Sequence, residues 1–84
     1  MIAVDPRLGF VLIEIELGIT FVQRALTAYR LGFDEHGDSA KANAIEALES
    51  AKRFIRYLDS RDQQIARAEM PKLEQALTVF SHPR

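Results

Sequence analysis

Between Leu8 and Phe33 the apolar residues recur at the i, i+3, i+4, i+7 spacing of an α-helix. Leu8, Val11, Leu12, Ile15, Ile19, Val22, Leu26, Tyr29 and Phe33 share one flank of a helical wheel. Phe10, Leu17, Phe21 and Ala28 share an adjoining flank, with Ala25 between the two. Together they span about 200°, roughly twice the arc a helix buries when it lies on one surface of a core. Glu16, Thr20, Gln23, Thr27 and Arg30 form the opposing polar stripe, with Ile13 and Leu31 at its edge. Such a helix needs at least two helical neighbours, and two neighbours cover only about 140 to 160° of it. Part of the Phe10, Leu17, Phe21 flank is left for a partner.

The pattern predicts three helices, the first over about 6–32. Asp5 supplies an N-cap acceptor and Pro6 lacks an amide that would need one, so the helix starts there. Gly32 follows its last turn as a left-handed C-cap, with Phe33 as the hydrophobic partner of that cap. Gly18 lies inside the apolar arc, where close approach of another helix would offset its poor helix propensity.

The polar run Asp34 to Ser39, containing Gly37, reads as a reversal, with Asp38 or Ser39 capping a second helix over about 39–58. Its stripe is Ala40, Ala44, Ala47, Leu48, Ala51, Phe54, Ile55 and Leu58, so its alanine-rich half approaches the first helix closely. Lys41, Glu46, Glu49, Lys52, Arg53 and Arg56 form a solvated face, with Glu49 spaced to pair with Lys52 and Arg53, and Ile45 exposed among them. Ser60 and Gln63 match a capping box that opens a third helix over about 61–80, with the stripe Ile65, Ala66, Met70, Leu73, Ala76, Leu77 and Phe80. Pro71 interrupts that stripe and predicts a kink or break just before Met70. A rival reading runs the second helix on to about Glu69 and starts a short last helix at Pro71, at the cost of turning Asp62 toward the core. Ser81 to Arg84 reads as a frayed end. The fold class is therefore all-α: a three-helix, up-down-up bundle in one domain over 1–84, dimerised along its long first helix.

Composition narrows the function classes. A chain of 84 residues buries only about 60 to 65% of its unfolded surface, and without cysteine no disulfide supports so small a core. The missing thiols also remove thiolate metal sites and thiol catalysis and point to a reducing cytoplasm. A formal charge of −1 provides no overall field for nucleic acid or for an anionic membrane. Glu14 and Glu16 cut the apolar start to the six residues from Leu8 to Ile13, far short of the roughly 20 of a spanning helix, and no small-residue cleavage site follows. That segment is expected to be core.

Candidate chemistry is sparse. Glu14 points into the apolar arc, and the preferred reading pairs it with a Lys or Arg of the third helix or of a second subunit, or places it at the rim. The alternative is a small enzyme or ligand-binding bundle that uses Glu14 as an acid or base in a dry pocket. Asp34, Glu35, His36 and Asp38 match neither a calcium loop nor a zinc signature, and no Glu-x-x-His pair supports a di-iron bundle, because His36 falls in a loop and His82 in the tail. Lys52, Arg53 and Arg56 surround Phe54 and Tyr57, a mixture found on some nucleic-acid surfaces, but Glu46 and Glu49 lie among them and Phe54 belongs to the core stripe. No catalytic residue, cofactor or metal is expected.

Ala25, Ala28 and Tyr29, then a Gly-containing reversal, then Ala40, Ala44, Ala47, Leu48, Ala51 and Phe54, resemble the packing pattern of tetratricopeptide-type hairpins and of the three-helix microtubule-interacting-and-trafficking domain. The first helix is longer than such hairpins use, and a single unit lacks stacking repeats. The resemblance implies peptide or protein binding and carries over no site residues. The expected function is a protein–protein interaction or assembly module without catalytic activity. Its partner is a second copy through Phe10, Ile13, Glu14, Leu17 and Phe21, or else a heterologous helix or peptide; neither nucleic acid nor a membrane is expected.

Overall fold

In the computed structural model, which describes residues 5–81, the chain forms three α-helices: α1 (Pro6–Arg30), α2 (Asp34–Ile55) and α3 (Ser60–Leu77). A single 3-10 turn, Thr78–Phe80, ends the last one. The protein is an all-α three-helix bundle, measuring 46 × 23 × 19 Å. His82, Pro83 and Arg84, most of the tail expected to fray, lie outside the described residues.

Local chemistry accounts for both ends of α1. The Asp5 carboxylate accepts from the Arg7 amide at 2.9 Å and also binds the Arg7 guanidinium, while Pro6 occupies the first turn. At the other end Gly32 adopts φ +85°, its amide donates to the Tyr29 carbonyl, and the Phe33 amide donates to the Ala28 carbonyl. That pair of bonds is a Schellman cap, and only glycine takes the backbone angle without strain.

The reversal is shorter than the sequence suggested. Asp34 to Ser39 is not a loop: α2 begins at Asp34, and the Phe33 carbonyl accepts from the Gly37 amide. Asp34 and Glu35 sit in the first turn, where the helix dipole favours negative charge. Gly37 is buried inside the helix because the Tyr29 ring packs against it; a Cβ there would lie 2.5 Å from the ring. His36 is likewise helical, and Asp38 caps nothing but accepts from the Tyr29 hydroxyl.

After Ile55 the chain turns through Arg56–Leu58, which rules out a second helix running on to Glu69. The N-cap of α3 is Asp59, one residue ahead of the expected Ser60; it accepts from the Asp62 amide at 2.9 Å, and the Gln63 side chain donates to the Leu58 carbonyl. Pro71 lies inside a continuous α3, so the helix does not break just before Met70. The Pro71 ring nitrogen cannot donate to the Arg67 carbonyl, but Arg67 and Pro71 are both exposed, so water can take up the freed acceptor.

Side-chain contacts give the helix directions. Phe10 meets Phe54 at one end of the α1–α2 hairpin and Tyr29 meets Gly37 at the other, so these helices are antiparallel. Lys52 pairs with Glu74 across to α3 instead of with Glu49 along its own helix, and Lys41 lies 5.3 Å from the Phe80 ring, so α3 runs antiparallel to α2. The three helices meet at Gly18: a Cβ there would lie 2.6 Å from a Leu73 methyl and 3.3 Å from the Ala47 Cβ. Val11, Ile15, Ala25, Ala44, Ala51, Ala66 and Leu73 form the driest part of the core.

Candidate interaction surface

The third helix covers one flank of the hairpin and leaves the other open. Leu12, Ile15 and Ile19 of α1 face Ile65, Glu69 and Lys72 of α3 around a groove of about 350 Å³. Phe10, Leu17, Phe21 and Ala28 lie on the opposite flank of α1, where α2 is the neighbouring helix.

The sequence-predicted interface residues fall on that open side and on the back of the helix. Phe10 and Leu17 are each 42% exposed and Ile13 is 62% exposed, while Glu14 and Phe21 are half-buried. Ile13 lies at the edge of the polar stripe and is the most exposed of these side chains. Glu14 is thus not enclosed in a dry pocket. Neither Glu14 nor Arg24, nearly three turns further on, enters an ion pair among the described residues, so the expected pairing of Glu14 with α3 does not form.

Phe54 corrects the sequence reading. It does not belong to the core, where Ile55 and Leu58 are buried instead; it is 41% exposed and packs edge-on against Phe10 with ring centroids 5.0 Å apart. Tyr57 continues the cluster, 6.0 Å from Phe54. Pro6 and Arg7 complete the walls of a cleft of about 250 Å³ between these rings. Edge-to-face aromatic pairs add about 0.5 to 1.5 kcal/mol beyond area burial, which explains why Phe54 stays folded onto Phe10 despite its exposure. Ile65, placed in the α3 core stripe, is also exposed, at the mouth of the α1–α3 groove.

The other end of the open face carries a notch with Phe21 and His36 in its walls beside small and polar groups. Arg24 and Ala28 of α1 and Ser39, Ala40 and Asn43 of α2 complete its border, around a volume of about 350 Å³. Sequence reasoning missed this notch because it treated Ser39 as a cap and Ala40 as a core residue. Beyond it, Leu31 and Phe33 are exposed at the reversal, with Phe33 edge-on to the His36 ring, so Phe33 does not fold back into the core.

Chemistry-bearing groups do not converge elsewhere. Asp34, Glu35 and His36 project from successive positions of one turn while Asp38 is engaged by Tyr29, and among the described residues no three His, Asp or Glu side chains are placed to hold a metal ion. No helix among the described residues is long and apolar enough to cross a membrane. Comparison with known proteins returned no matching family model, no similar curated protein and no similar solved structure. Function must therefore be argued from this surface.

Proposed function

We propose that the chain is a cytoplasmic protein–protein interaction or assembly module without catalytic activity, and that it self-associates as a homodimer along α1. The supporting observation is the joined run of exposed apolar side chains Phe10, Leu17, Phe54 and Tyr57, with Ile13 beside it, on a chain this small. Adjacent large apolar groups left in water are the mark of a binding surface, whereas single ones are ordinary. Aromatic residues are also what interface cores enrich. The alanine-lined hairpin resembles interaction modules and points the same way, and a cysteine-free chain suits a reducing compartment.

Sedimentation equilibrium from low to high micromolar concentration tests the reading. The expected species has twice the 9.5 kDa chain mass. Leu17→Glu should remain helical, because the side chain is already half in water, and should sediment as a monomer. A compact 9.5 kDa wild-type species throughout would exclude self-association.

A further inference from the structure

Six residues of α1 that are not buried follow one another at spacings of four, three, four, three and four: Phe10, Glu14, Leu17, Phe21, Arg24 and Ala28. Alternating steps of four and three are the pattern of a coiled-coil seam, and over this length such a seam stays on one side of a straight helix. The core-facing residues of α1 do not belong to it. This seam lies on the flank that α3 leaves open, with Phe54 beside its first position and Ser39, Ala40 and Asn43 beside its last.

Read in reverse, the seam is complementary to itself. We propose that a second copy of this chain docks on it with the two α1 helices antiparallel, about a two-fold axis passing between Leu17 and Phe21. This rests on the self-association proposed above and specifies its geometry. In that register Phe10 faces Ala28 of the other copy, Glu14 faces Arg24, and Leu17 faces Phe21, each contact occurring twice, as an isologous interface requires. A large side chain meets a small one at both ends, Phe10 against Ala28, and the Phe10–Phe54 pair of one copy lies against the notch that Phe21, His36, Ser39, Ala40 and Asn43 line on the other. Charge matches as well, since Glu14 and Arg24 have no ion-pair partner among the described residues and each would meet the opposite sign. A parallel pairing would set Glu14 against Glu14 and Arg24 against Arg24, and like charges at the seam are repelled.

Charge reversal tests the register. Glu14→Arg and Arg24→Glu each place like charges at two layers of the dimer. Each variant alone should dimerise about 10- to 30-fold more weakly than the wild type while keeping its helical circular dichroism. An equimolar mixture of the two should form a heterodimer within about threefold of wild-type affinity, and so should the homodimer of the double variant E14R/R24E, because both restore opposite charges at every layer. Wild-type protein that is monomeric at all concentrations overturns self-association itself and leaves the face to a heterologous helix. A wild-type dimer that neither single reversal weakens, or weakened variants that mixing does not rescue, overturns the antiparallel seam and leaves self-association standing.

Discussion

Replacing Gly18 by alanine adds one methyl group at the point where all three helices touch. Built on the present backbone, that methyl would sit 2.6 and 2.8 Å from the two Leu73 methyls and 3.3 Å from the Ala47 Cβ, against about 3.5 to 4.0 Å for carbon atoms at rest. Leu73 is fully buried, so either its side chain must turn within the packed core or α1 and α3 must move apart. Overpacking of this kind costs about 1 to 3 kcal/mol, while the better helix propensity of alanine returns about 0.5 to 1 kcal/mol. The expected net loss is up to about 2.5 kcal/mol. For a domain of 84 residues, whose whole stability is about 4 to 13 kcal/mol, that is measurable, and each kcal/mol lowers Tm by roughly 4 to 8 °C.

Gly9 provides an internal control in the same helix. A Cβ there meets nothing within 4 Å, so Gly9→Ala should stabilise the protein by about 0.5 to 1 kcal/mol. Urea and thermal melts by far-UV circular dichroism, at one protein concentration because association would shift Tm, should therefore give opposite signs for one chemical change. Leu73→Ala alone should cost about 2 to 5 kcal/mol, and in that background Gly18→Ala should become neutral or stabilising, because its methyl then enters space that Leu73 has left. If Gly18→Ala raised Tm as Gly9→Ala does, the close crossing of α1 with α3 would be wrong.

Two further outcomes follow from local geometry. The Tyr29 hydroxyl is pushed up to about 12 from its ordinary 10, first by its hydrogen bond to Asp38, then by desolvation and by the charges of Asp38 and Asp34. Its neutral form is favoured in the folded state, so this contribution is complete below the unfolded value near 10 and is lost as pH rises toward 12. A phenolate absorbance titration should show Asp38→Asn bringing Tyr29 back toward 10; an unchanged titration would refute the hydrogen bond as the cause. Pro71→Ala should restore a donor to the Arg67 carbonyl and, after allowing for the extra freedom of the unfolded chain, raise stability by about 1 to 2 kcal/mol, whereas a lower midpoint in urea would mean that the proline shapes α3 in a way the packing needs.

Helix number, order and the limits of α1 could be read from residue order because they rest on local physics. Asp5 and Pro6 start the helix with groups that satisfy or lack an amide, and Gly32 ends it at an angle that other residues resist. The start of α2 was read wrongly because Gly37 has two physical meanings. A glycine among polar residues suggests a turn, yet here its missing side chain makes room for the Tyr29 ring, a partner eight residues away on another helix. Phe54 and Ile55 are equally good members of an apolar stripe, and only the position of α3 decides that Ile55 is covered while Phe54 is left to pair with Phe10. Periodicity states which residues share a side of a helix. It does not state how much of that side is covered, because coverage depends on where the neighbours sit, and in this bundle that is decided by the contact of Gly18 with Leu73 and Ala47.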